Sequence, residues 1–241
     1  MATGHAKNVA NFETVVITVT ALGAVYNPSQ PLIQLAALQT KLAAAKQAMQ
    51  TVDAAEAAKK IAVNARADEF ADISALTVNV KRAAEVDVND AAFTADLVSI
   101  VRRMRGERAG ELPVDNPATA DIDESKAKTH SVASRGYDNQ VAYFADLIAL
   151  LKTQPAYAPN ETEMQTTTLD GKLSTLEAKN NAAKTATAAL GSALDARDAV
   201  LYDPDTGVLK LVKLIKAQLA RKPGTDSAAY QQIVALDFKR S

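Results

Sequence analysis

The chain has 241 residues, and 48% of them are hydrophobic although only 5% are aromatic, with no Trp and no Cys. Such an Ala-, Leu- and Val-rich chain can build a core, which excludes a disordered polymer and favours close helix-on-helix packing over a sheet sandwich. A formal net charge of −1 argues against a dedicated nucleic-acid binder, and the lack of Cys excludes disulfides and thiolate metal sites.

In chain order, the first expected helix covers Lys7–Leu22. It contains the apolar run Val15–Val25, which has the look of a signal-peptide core. A similar run, Leu147–Leu151, lies mid-chain where no signal peptide can sit, so both read as core helices. The first run is also too short and too Thr-rich to span a bilayer. A cytoplasmic location is therefore expected, and export by a non-classical route is compatible with it.

The turn Tyr26-Asn27-Pro28-Ser29-Gln30-Pro31 ends this helix, because proline stops one helix and suits the first turn of the next. From Leu32 to Arg105 there is neither Gly nor Pro. Leu35, Leu38, Leu42, Ala45, Met49 and Val52 step by three and four, a heptad seam of the kind used in coiled-coil packing. A helix of about 40 residues here would be about 60 Å long, implying an elongated molecule. Its continuity through Asp68–Asp72 is open. After the turn Asp87-Val88-Asn89-Asp90, a further helix carries Phe93, Leu97, Ile100, Val101 and Met104.

Residues 107–136 read as a linker, rich in Pro and acidic residues and poor in large apolar ones. Beyond it the sequence repeats itself. Val9-Ala10-Asn11-Phe12 returns as Val141-Ala142-Tyr143-Phe144, Tyr26-Asn27-Pro28 as Tyr157-Ala158-Pro159, Ala65-Arg66 as Ala196-Arg197, and Ala91-Ala92-Phe93 as Ala228-Ala229-Tyr230. The second seam runs through Leu169, Leu173, Leu176, Asn180, Ala183, Thr187, Leu190 and Leu194. A loop, Tyr202–Gly207, has no counterpart in the first copy. Then come a helix with Leu209, Val212, Ile215 and Leu219, a turn at Lys222–Ser227 with Ser227 or Asp226 as N-cap, and a last helix ending near Phe238.

The expected fold is thus all-α: two tandem helical-bundle repeats, 1–106 and 137–241, joined by the 107–136 linker. Each is built on one long heptad-patterned helix, and the two are pseudo-twofold related. Tyr137-Asp138-Asn139-Gln140, Ala156–Glu161, Leu201-Tyr202 with Thr206-Gly207-Val208, and Tyr230-Gln231-Gln232-Ile233 give the chain a further trait. It resembles a group of uncharacterised bacterial proteins with a duplicated all-helical layout. The resemblance implies that layout across nearly the whole chain and carries no assigned activity.

Few residues invite a chemical role. Arg102, Arg103, Arg105 and Arg108 form the densest basic cluster, which suits either a helix C-terminus or an anionic partner. No aromatic interleaves with them, so a single-strand stacking platform is not indicated. Asn180 stands in the second seam where Met49 stands in the first; a polar seam residue either sets register or lies at a solvated edge. Asp203-Pro204-Asp205-Thr206-Gly207 has the opening of a calcium loop, but the position for the bidentate acid is Leu214, so it reads as a turn, with Gly207 supplying a positive φ. Tyr26 and Tyr157 precede the prolines of both turns and read as packing residues.

There is no Gly-rich phosphate loop, Gly-x-Ser-x-Gly or His-Glu-x-x-His, and with His5 and His130 the only histidines no His-rich metal site can form. Neither a cofactor nor an enzymatic role is expected. The leading expectation is a non-enzymatic structural or interaction protein that self-associates, as a dimer or filament-like assembly, through helical faces. One alternative is a membrane-active helical protein of the pore-forming-toxin type. Another is an accessory protein that binds anions or nucleic acid.

Overall fold

The structure, a computed structural model, describes residues 4–106 and 136–240. The expected linker falls almost wholly outside the described residues. Those residues are helical, with no strand among them. Eight α-helices follow one another: α1 (Gly4–Ala21), α2 (Leu35–Phe70), α3 (Ile73–Asp87), α4 (Ala91–Arg105), α5 (Tyr137–Lys152), α6 (Thr166–Tyr202), α7 (Val208–Leu219) and α8 (Ala228–Val234).

The turns and caps have local causes. Pro31 opens a 3-10 turn, Pro31–Ile33, and α2 begins only after it, three residues later than the proline-free stretch suggests. The question at Asp68–Asp72 resolves as a break: α2 ends at Phe70, and Ala71 and Asp72 turn the chain into α3. Asp90 caps α4, its carboxylate accepting from the backbone N–H groups of Ala92 (2.9 Å) and Phe93 (3.2 Å). Gly106 ends α4 at φ 67°, its N–H donating to the Arg102 and Arg103 carbonyls, a left-handed cap that a glycine enters without strain. Ser227 caps α8 through the N–H of Tyr230. That last helix stops at Val234, short of Phe238, and the following residues continue without helix.

The chain divides into two compact units, 1–60 with 185–241, and 61–184. The contiguous segments 1–106 and 137–241, expected as separate bundles, are therefore not the compact units. The physical reason lies in α2 and α6, of 36 and 37 residues. A helix of that length runs for about 54 Å, more than one small core can flank, so its two ends serve different cores. The first unit takes α1 and the start of α2 from the first half of the chain, and the end of α6, α7 and α8 from the second. The second unit takes the end of α2, α3 and α4 from the first half, and α5 with the start of α6 from the second.

Each unit has its own apolar core. In the first, Val9, Phe12, Val15, Val16 and Val19 of α1 pack with Leu38 and Ala45 of α2 and with Leu211, Val212, Ile215 and Leu219 of α7. Of the run that resembled a signal-peptide core, Val15, Val16, Thr18 and Val19 lie on the buried face of α1, Ile17 is on its outer side, and Val25, beyond the helix, is exposed. No described helix is long and apolar enough to cross a membrane. In the second unit, Phe144, Leu147, Ile148 and Leu151 of α5 pack with Phe93, Leu97, Ile100, Val101 and Met104 of α4, with α3, and with Leu169 and Leu176 of α6. Along α2 the fully buried seam positions are Leu38, Ala45 and Val52, seven residues apart, while Leu42 and Met49 are half-buried. Along α6 Leu169, Leu176, Asn180 and Ala183 are buried but Thr187 is exposed, so the second seam loses its buried face there.

Candidate interaction sites

The two turn tyrosines do the same thing in each unit. Tyr26 is buried and its hydroxyl donates to the Ile33 carbonyl seven residues on, at 2.7 Å. Tyr157 is buried and donates to the Met164 carbonyl, also seven residues on and also at 2.7 Å. Each phenol closes its loop onto the 3-10 turn that precedes the long helix. Burial pushes both hydroxyls up to about 12, with Asp87 and Glu161 adding to the effect on Tyr157. A phenol so committed is a structural latch.

The Asp203–Gly207 loop is also self-contained. One Asp203 carboxylate oxygen accepts from the N–H of Asp205 (3.0 Å), the N–H of Thr206 (2.7 Å) and the Thr206 hydroxyl (2.9 Å). These bonds, led by the Thr206 N–H, hold the carboxyl below the usual carboxylate range. Gly207 has φ −68°, so the expected positive φ is absent. The glycine is needed for close approach instead: a Cβ there would lie 2.5 Å from both the N and O of Asp203. Among the described residues no three His, Asp or Glu side chains gather where they could share a metal ion.

Asn180 is buried, which settles the choice between seam core and solvated edge. Its amide carbonyl accepts from the Arg66 guanidinium (3.3 Å) and its amide nitrogen donates to Asp138 (2.7 Å). Lys184 also pairs with Asp138, and Lys184 and Asn180 together hold that carboxyl below its ordinary range. The Arg66 guanidinium lies over the Tyr137 ring, 4.0 Å from its centroid, and Tyr137 meets Phe70 edge-on at 4.8 Å. The Arg66 Nε is buried without a hydrogen-bond partner. Every member of this network belongs to the second unit.

The first unit has a different polar cluster at its own rim. The His5 ring nitrogen and the Tyr202 hydroxyl lie 2.7 Å apart, and Asn8, which is buried, also donates to Tyr202 (3.2 Å). Asn8 further donates to the Lys239 carbonyl (2.6 Å) and accepts from the Lys239 N–H (3.2 Å), while Asn11 donates to the Asp237 carbonyl (2.8 Å). The C-terminal segment is thereby pinned along α1. Burial, then Arg197, pulls the His5 imidazole below its ordinary range, with Asp198 opposing.

Of the expected basic cluster, Arg102 and Arg105 stay together, Arg103 turns away to lie 5.0 Å over the Tyr143 ring, and Arg108 is outside the described residues. What joins Arg102 and Arg105 is a pair that sequence reading missed, Lys81 and Arg82 of α3. The three-residue turn 88–90 folds α4 back on α3, so a hairpin brings cations about twenty or more residues apart into one groove of about 300 Å³. The signal was available: Val78, Lys81 and Arg82 recur at helical spacing, opposite Val98, Val101, Arg102 and Arg105 across a tight turn. Lys81 pairs with Glu85 at 2.6 Å, whereas Arg82 and Arg102 have no ion-pair partner among the described residues. In comparisons with known protein families, curated proteins and solved structures, nothing matches this chain.

Proposed function

We propose that this all-helical chain is an interlaced internal duplication that serves as a non-enzymatic, self-associating scaffold. The observation that carries the reading is the matched make-up of the two units. Each joins a first helix and the start of one long helix to the end of the other long helix and two shorter helices. Each also closes its turn with a tyrosine bonded to the carbonyl seven residues on. This is the pattern of two identical chains that exchange their ends, here carried on one chain.

The functional step follows from symmetry. Two units of one build offer related faces on one molecule. A face of one unit that fits a face of the other can join successive molecules head to tail, giving closed dimers or open filaments. The heptad seams of α2 and α6, with Asn180 as a polar seam residue fixing register, belong to this reading. Solvent-facing apolar side chains in both units, Ile17 and Val86 among them, are consistent with such contacts, though single exposed residues are common on any surface. The membrane-active alternative has less behind it, because its cue, the Val15–Val25 run, supplies three core valines of the first unit.

The test is light scattering of the purified chain across a wide concentration range, with negative-stain electron microscopy of the same samples. The expected result is a mass that rises in multiples of 25.5 kDa. A strict monomer at the highest concentration would overturn the self-associating part of the reading.

A further inference from the structure

We infer that the groove between α3 and α4 is a binding site for a small, soluble phosphate monoester bearing a short apolar group. It is lined by Lys81, Arg82, Arg102 and Arg105 together with Val78, Val98 and Val101, and among the described residues no acidic side chain lines it. Lys81 is paired with Glu85, but Arg82 and Arg102 come to one groove with no ion pair of their own among the described residues. Helix-end cations alone do not account for it. Arg102 and Arg105 sit at the C-terminus of α4, where the macrodipole favours them, but Lys81 and Arg82 lie in the middle of α3, where it offers nothing.

The chemistry of the lining selects the ligand. Arg82 and Arg102 have no ion-pair partner among the described residues, and a guanidinium fork is suited to bidentate contact with phosphate or carboxylate oxygens. Two such forks bring two positive charges, which a phosphate monoester dianion matches and a carboxylate monoanion does not. The valines supply a short apolar contact that free phosphate cannot use.

Size and composition argue against a polymer. About 300 Å³ corresponds to roughly ten water volumes. Among the described residues no aromatic side chain lines the groove for base stacking, and the near-neutral chain would not steer a polyanion toward it.

The full chain is titrated by calorimetry with butyl phosphate, inorganic phosphate and butyrate, and by co-sedimentation with vesicles containing phosphatidic acid. Butyl phosphate is expected to bind saturably at one site per chain, more tightly than phosphate or butyrate. Arg82→Gln and Arg102→Gln should each weaken it by about tenfold, the loss expected of one charge-assisted contact. Val98→Ser should weaken butyl phosphate while leaving inorganic phosphate unchanged. Arg102→Lys keeps the charge and the helix but loses the fork, so it should still bind less tightly than the parent; it serves if the Gln variants fold poorly. The inference is overturned by a lack of saturable binding, by equal affinity in the Arg82→Gln/Arg102→Gln chain, or by vesicle binding without any response to the soluble ester.

Discussion

The two units solve one packing problem with different polar chemistry. In the second, the space beside the long helices holds Arg66, Asn180, Asp138 and Tyr137 in one connected network. On the duplication proposed above, Arg197 would take the place of Arg66 in the first, Met49 that of Asn180 and His5 that of Tyr137. Arg197 pairs there with its neighbour Asp198 at 2.8 Å, and the polar bonding has moved to Asn8, Tyr202 and the C-terminal segment. What stays alike is the apolar core and the tyrosine latch. If the two units share one backbone plan, apolar burial and loop closure hold it, and the polar groups around it differ.

The largest way to break the comparison is to separate the halves of the chain. A fragment 137–241 has only part of each unit, so as a monomer it should lose most of its helical circular-dichroism signal. If the duplication is an exchanged dimer on one chain, the fragment should instead recover helix by pairing with a second copy as its concentration rises. A fragment that is fully helical and monomeric when dilute would contradict the interlaced arrangement.

Next in size, Phe12→Ala and Phe144→Ala remove matched, fully buried rings. Each should cost about 3–5 kcal/mol. Hydrogen exchange read by mass spectrometry should show protection falling in 1–60 and 185–241 for the first variant and in 61–184 for the second. Equal loss everywhere would mean that the two cores melt as one.

Asn180→Met places the first unit's residue in the second. It leaves the half-buried Arg66 without its acceptor and Asp138 without one donor, at about 1–3 kcal/mol by denaturant titration. The reciprocal Met49→Asn should also destabilise, because Met49 packs against the first core and Arg197 is already paired with Asp198. A neutral Asn180→Met would reduce the network to decoration.

The smallest effect belongs to the latches. Tyr26→Phe and Tyr157→Phe should each lose about 1 kcal/mol. Because folding raises these phenols from 10.0 to about 12, the unfolded chain releases its protons first, so stability is complete below pH 10 and declines as pH rises toward 12. Alkaline melts of the double Phe variant should lose that decline, and an unchanged pH profile would show that the phenols do not govern it.

Much of this was legible residue by residue. Prolines marked the turn before α2, Asp90 and Ser227 announced caps, and the stepping of Leu35, Leu38 and Leu42 gave the long helix. The partition was not. Periodicity says which face of a helix is buried and nothing about what buries it, so the α2 seam reads the same whether it packs with its own half of the chain or with the other. Gly207 illustrates a related blindness: its identity was plain, but its reason, backbone contact with Asp203, exists only in three dimensions. The arginine run was visible and its real companions were not, since Lys81 and Arg82 join it only through the α3–α4 hairpin.

The pinning of Lys239 to Asn8 joins residues 231 positions apart, and it has a consequence for the order of events at the ribosome. The second unit is one continuous stretch, complete once residue 184 has emerged. The first unit brackets it and must wait for α7, α8 and the last few residues. During synthesis α1 therefore emerges well before α7 and α8, its valines having core partners in α2, Leu38 and Ala45 among them, but none from α7 in the meantime. A nascent chain arrested once residue 184 has cleared the ribosome should protect α3, α4 and α5 from protease and leave α1 open to cleavage.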